Sequence, residues 1–129
     1  MQWQKTDSTS VFVTRLMNDL EPTLFDFIKT NVNSFIKWDL LKLFYANREL
    51  IDTAENVAKY TGRPVAMIEP ELADLVESEL IVKTSLTGIP VYALTSDEII
   101  WASISNFISA CEDREMRMKF VYHIVHEIQ

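Results

Sequence analysis

Glycine is scarce in this chain: two residues in 129, beside four prolines and one cysteine. Two glycines cannot build the glycine-rich loop that cradles phosphates, which excludes nucleotide sites of that kind. A lone cysteine, Cys111, makes an internal disulfide impossible and fits a reducing, cytoplasmic setting. No apolar run approaches the ~18 residues of a membrane span. Met1-Gln2-Trp3-Gln4-Lys5 carries no apolar h-region, so no secretory signal is expected. Cations are outnumbered too, 12 Lys and Arg against 19 Asp and Glu, for a formal net charge of −7. Proteins that neutralise many phosphates usually display a basic face. The acidic balance therefore favours a protein partner over nucleic acid. No nucleophile elbow, zinc-finger spacing or carboxylate pair in an apolar context occurs, so neither an enzyme nor a cofactor is expected.

What the chain does have is apolar residues in helical register. The length suits a single domain spanning 1–129. Val11, Phe12, Leu16 and Leu20 mark one face of a helix from Ser8 to Leu20. Glu21-Pro22 starts a second, with Leu24, Phe25 and Ile28 on its apolar face. Ser34 offers an N-cap for Phe35 to Ala46, whose Ile36, Leu40, Leu43 and Phe44 share a face. Leu50 and Ile51 suit a short strand or an extended link. Thr53 caps Ala54 to Tyr60, which Gly62 ends, and Pro64 opens a helix carrying Val65, Ile68, Leu72, Leu75 and Val76. Ile81 to Leu86 and Ile89 to Leu94 flank Thr87-Gly88 as a hairpin. Pro90 lacks an N–H and should face an open side of that ladder. Ser96-Asp97-Glu98 caps a further helix with Ile100, Ile104, Phe107 and Ile108 as its stripe; after a break at 110–113, Arg114 to Ile128 forms the last one. Both glycines thus fall where a chain needs positive φ, one after a helix and one in a hairpin turn.

The stretch from Ser34 to Thr95 resembles a winged helix-turn-helix domain of the kind found in bacterial transcriptional regulators. The likeness rests on Thr53-Ala54-Glu55-Asn56-Val57-Ala58-Lys59-Tyr60-Thr61-Gly62 as second helix and turn, where the small Ala58 permits a close crossing. Val65 to Leu80 follows as third helix, and Tyr92-Ala93-Leu94-Thr95 closes the wing. Glu79-Leu80-Ile81 stands where a small residue or Gly, then Leu, then Val usually ends such a helix. The resemblance implies an α+β, mostly helical fold, with 34–95 as the winged-helix core and extra helices at 8–32 and 96–129. It implies a DNA-binding transcriptional regulator with duplex DNA as partner, Lys59, Arg63, Ala66, Lys83 and Thr84 touching DNA, and Lys37 or Lys42 available for phosphates.

Charge opposes that implication. Arg63 to Ile81 holds one Arg and five acids, Glu69, Glu71, Asp74, Glu77 and Glu79. A carboxylate ~4 Å from a phosphate costs roughly 1 kcal/mol even in water. Pro70 should either kink the third helix or shorten it from the N-terminal end. Lys83 is the one charged residue of the wing. A winged helix used for protein interaction or dimerisation, without DNA, is therefore the competing expectation. A homodimer is expected in either case, with Phe120, Ile124 and Ile128 of the last helix as its seam. His123 and His126 with Glu127 lack a recognised metal-site spacing, so no metal is expected. Cys111 is expected to be inert, its thiol pKa raised by neighbouring Glu112 and Asp113. Trp3, Trp38, Trp101, Phe107 and Phe120 either pack the core or line a hydrophobic effector pocket.

Overall fold

The computed structural model describes residues 22–128. Helix α1 spans Pro22–Asn31, α2 Phe35–Ala46, α3 Ala54–Thr61, α4 Val65–Glu77, α5 Glu98–Ala110 and α6 Arg114–Ile128. Strands β1 (Ile51–Asp52), β2 (Ile81–Leu86) and β3 (Ile89–Leu94) form one antiparallel sheet in the order β1-β3-β2. The fold is α+β and mainly helical, and the succession of α2, α3, α4 and the β2–β3 hairpin is consistent with the expected order of helices followed by a ribbon. The expected helix from Ser8 to Leu20 lies outside the described residues. No helix among them is long and apolar enough to cross a membrane.

Capping fixes where the helices begin. Ser34 Oγ accepts from Lys37 N at 3.1 Å and Thr53 Oγ1 from Asn56 N at 3.2 Å. Asp97 Oδ1 accepts from Ile99 N and Ile100 N, and Asp113 Oδ1 from Glu115 N and Met116 N. Each cap satisfies N–H groups that the first helical turn leaves open, typically worth ~1 kcal/mol. Asp52 reinforces the start of α3. Its carboxylate accepts from Thr53 N, Asn56 Nδ2 and, at 2.7 Å, Tyr60 Oη. Hydrogen bonds from Tyr60 first, then Asn56, hold its pKa below the usual carboxylate range, and the same Tyr60 bond raises the phenol.

Two turns share one geometry. After α3, Gly62 has φ +72°, with Arg63 N donating to Ala58 O and Gly62 N to Lys59 O. After α4, Glu79 has φ +69°, with Leu80 N donating to Leu75 O and Glu79 N to Val76 O. Both are Schellman closures, whose left-handed position favours glycine. An L side chain there costs roughly 1–2 kcal/mol. Glu79→Gly is therefore expected to stabilise the protein by about 1 kcal/mol, while Gly62→Ala should destabilise it by about as much. A Cβ at Gly62 would meet nothing within 4 Å, so the second cost is purely conformational. Urea midpoints check both, and an unchanged midpoint for Glu79→Gly would show that its side chain offsets the backbone strain.

Of the two outcomes expected at Pro70, the shortening of the third helix from its N-terminal end does not occur. Helix α4 runs unbroken from Val65 through Pro70, with Pro64 at the N-cap position, so its N-terminal turns are intact. Pro70 and Ala66, whose carbonyl loses its N–H partner, are both exposed, and water can satisfy that carbonyl. In the hairpin, Leu86 pairs with Ile89 across Thr87 (φ +50°) and Gly88 (φ +85°). Positive φ at both central residues is the type I′ arrangement. The next pair, Ser85 with Pro90, falls at a position where side-chain neighbours exchange no hydrogen bonds. Pro90 thus points its missing donor away from β2, and β1 reaches only Tyr92 and Ala93 on that side.

One core joins the six helices and the β2–β3 hairpin. Leu40, Leu41 and Phe44 of α2, Val57 of α3 and Ile68, Leu72 and Leu75 of α4 are buried with Ile81 and Leu94 of the sheet. Ile28, Ile104, Phe107, Phe120 and Ile124 continue it through α1, α5 and α6. Phe107 is the junction, its ring 5.8 Å from Phe27, 6.0 Å from Trp38 and 5.2 Å from Phe120.

Candidate interaction surface

Helix α4 is held from behind by α2. Ser34 Oγ donates to Glu71, and Lys37 Nζ lies 2.9 Å from Asp74 Oδ2 and 2.7 Å from Asn33 Oδ1. Lys37, a candidate for phosphate contact by sequence, is only 7 % exposed and is consumed by this clamp. Two of the five acids are therefore used inside the fold. Their spacing, three residues apart on one helix face, allows both to reach the N-terminal turns of α2.

Arg63 is also engaged. Its Nε and Nη2 both donate to Asp39 Oδ2 of α2, at 3.0 and 2.7 Å, tying the turn between α3 and α4 to that helix. The Arg63 side chain is 30 % exposed, so it braces that turn more than it offers charge to a partner. Ala66 is exposed on the first turns of α4, together with Met67, Glu69, Pro70 and Ala73. Glu77 is exposed further along. That outward face carries no side-chain donor. Lys59 is exposed on the last turn of α3.

The five residues named for DNA do not share one surface. Lys83 and Thr84 are adjacent on β2, and alternation sends their side chains to opposite faces of the sheet. Lys83 lies beside its cross-strand partner Tyr92, with Nζ 6.0 Å from the ring. Tyr92 is in turn paired with Asp52, which Tyr60 of α3 grips. Lys83 thus belongs to the row that ties the sheet to α3. Thr84 sits on the other face, opposite Val91.

That second sheet face was missed by sequence reasoning. Register places Ile51, Ala93 and Val82 in one row, Val91 and Thr84 in the next, and Ile89 with Leu86 at the tip. Ile51 is 62 % exposed, Val82 41 %, Leu86 62 % and Ile89 53 %, around a buried Val91. An outward antiparallel face is normally polar; this one is aliphatic with a single hydroxyl. The signal was in the chain, because a two-residue turn at 87–88 fixes the pairing and the apolar residues at 82, 86, 89 and 91 then fall together.

The expected dimer seam needs correction. Phe120 and Ile124 are fully buried inside the chain, against Trp38 and Phe107 among others. They are not available to a second molecule. The side chain of Ile128 lies outside the described residues. Among the described side chains of α6, the exposed large apolar ones are instead Met118, Val121 and Val125.

The remaining candidates resolve as packing. Trp38, Phe107 and Phe120 contact one another edge-on or tilted, filling the space an effector would need. Trp101 packs against the edge of the same core and stacks on Tyr45 at 5.7 Å, with the Arg48 guanidinium 4.2 Å from its ring. Trp3 lies outside the described residues. Cys111 is half-buried, and burial pushes its thiol up to about 11; Lys42 and Arg117 act in the opposite direction. The thiol is raised as expected, but by desolvation, not by Glu112 and Asp113. Among the described residues, no group of three His, Cys, Asp or Glu side chains is placed to hold a metal ion.

No protein-family model matches the chain, and neither does any curated protein. Among solved structures it is similar to a possible transcriptional regulator from Methanosarcina mazei Go1, at 15 % identity over 81 % of each chain with a TM-score of 0.42. It is also similar to the ST1889 protein from the thermoacidophilic archaeon Sulfolobus tokodaii, at 21 % identity over 81 % of this chain and 93 % of that one, again with a TM-score of 0.42.

Proposed function

We propose that residues 34–95 form a winged helix whose work is protein contact and not the reading of DNA bases. The outward face of α4 supports this most directly. Base edges in the major groove are read by donors such as Arg, Lys, Asn and Gln. Here the equivalent positions are Ala66, Met67, Glu69, Pro70 and Ala73, and the nearest guanidinium is committed to Asp39. Phosphate grip is equally thin, because the wing tip displays Leu86 and Ile89 where a clamp would carry Arg or Lys.

A second reading, the DNA-binding transcriptional regulator, is favoured by one observation. Lys59, Lys83 and Thr84 are exposed on the side elements of the motif. Fluorescence anisotropy against random duplex DNA at about 30 mM salt decides between the two. Non-specific binders reach roughly 10⁻⁴–10⁻⁶ M at physiological salt and bind more tightly when salt is lowered. The expected result is no saturable signal up to about 50 µM protein. Binding that weakens steeply with salt, and disappears when Lys59, Arg63 and Lys83 are all changed to alanine, would establish the regulator instead.

A further inference from the structure

We infer that the aliphatic outer face of the β-sheet is the docking surface for a second copy of this chain, giving a reversible, two-fold symmetric dimer. The inference rests on the protein-contact reading above and names the partner. Ile51, Val82, Leu86, Ile89 and Val91 occupy that face in three consecutive cross-strand rows, with Ala93 and Thr84 between them. Four of those aliphatic side chains are 41–62 % exposed. Together they present on the order of 400 Å² of apolar surface, as large as the patches that usually mark an interaction site on a monomer.

Charge selects the occupant. The chain carries a net −7, so most ways of bringing two copies together oppose like charges. The sheet face is free of this penalty, because Lys83 and Asp52 alternate to the opposite side of their strands and no ionisable side chain lies in the three rows. An uncharged, aliphatic patch is complementary to itself, as a two-fold interface requires. A strongly charged peptide or nucleic acid would have nothing to pair with there. Sheets stacked face to face lie about 10 Å apart with interdigitating side chains, which would bury Leu86 and Ile89 of one copy among those of the other.

Area sets the strength. Two such patches amount to roughly 800 Å² in total, below the 1,200 Å² of standard stable interfaces. The dimer is accordingly expected at the weak, reversible end of protein–protein contacts. Its association should not weaken as salt is raised, because no ion pair is formed.

Sedimentation velocity of the full chain, from about 2 to 300 µM, tests this. The wild type should shift from monomer to dimer across that range. Leu86→Lys/Ile89→Lys should raise the Kd at least about tenfold. Thr84→Arg, which adds a charge to the same face while keeping every aliphatic group, should do the same with an unchanged circular dichroism spectrum. Met118→Lys/Val121→Lys, on the exposed stripe of α6, should leave association unaffected. A wild type that stays monomeric throughout, or a dimer lost through the α6 variant but kept by the two sheet variants, overturns the inference. Saturable DNA binding in the anisotropy titration would sink the protein-contact reading alone, since it leaves the sedimentation result untouched.

Discussion

Phe107→Ala is expected to destabilise the protein by about 4 kcal/mol, the range measured for deleting a buried aromatic ring. For a chain of this size that corresponds to a fall of roughly 15 °C in Tm. The magnitude follows from what the ring touches. Phe107 is fully buried and meets Phe27 of α1, Trp38 of α2 and Phe120 of α6 at centroid distances of 5.2–6.0 Å. Three other helices therefore converge on one side chain of α5. Large neighbouring rings on separate helices cannot all collapse into the vacated space, so most of the cavity term persists. Phe35→Ala is the internal comparison. Phe35 stacks on Trp38 at 6.4 Å from the same aromatic group, but it is 37 % exposed and should cost only about 1 kcal/mol. Thermal denaturation followed by circular dichroism separates the two. A Phe107→Ala loss below about 2 kcal/mol would mean that the helical additions are held to the 34–95 unit by something other than this junction.

Local features were legible in the sequence, and features made by distant residues were not. Gly62 and Gly88 mark their turns because positive φ is a property of one residue and its immediate neighbours. Even so, Glu79 adopts the same left-handed geometry as Gly62 without a glycine to announce it. Its closure depends on α4 ending where Leu80 must turn into the core. Ser34, Thr53 and Asp97 were readable as caps for the same local reason. The last helix shows how periodicity runs out. Phe120 and Ile124 lie on one face of α6, Val121 and Val125 on the next, and all four are apolar. A helix with aliphatic residues on two adjacent faces does not say which is buried in its own chain. The aromatic partners that decide it, Trp38 and Phe107, are contributed by α2 and α5. The candidate site suffered most. Arg63 and Lys37 count as free cations until Asp39 and Asp74 are brought to them across 24 and 37 residues of chain. Nothing in local pattern reveals such pairs.

The Lys37–Asp74 pair carries an asymmetry that a denaturation experiment can read. The Lys37 side chain is 7 % exposed while that of Asp74 is 57 % exposed. Breaking an ion pair is costly on the side that is left buried without a partner. Asp74→Ala leaves the ammonium of Lys37 in the α2–α4 junction, where it still donates to Asn33 Oδ1. The expected loss is about 2 kcal/mol, less than for a fully buried pair because the vacated position opens to water. Lys37→Met removes the other partner. It puts an apolar chain of similar length into the same space, and Asp74 keeps its hydration. That substitution should change stability by less than about 1 kcal/mol. The double variant Lys37→Met/Asp74→Ala should then resemble Lys37→Met, since with no buried ammonium the carboxylate has little left to do. Urea denaturation of the three proteins gives the ordering. If Lys37→Met proves the more damaging single change, the lysine is contributing through contacts other than Asp74. The clamp would then be a consequence of how α2 and α4 pack and no longer a cause of it.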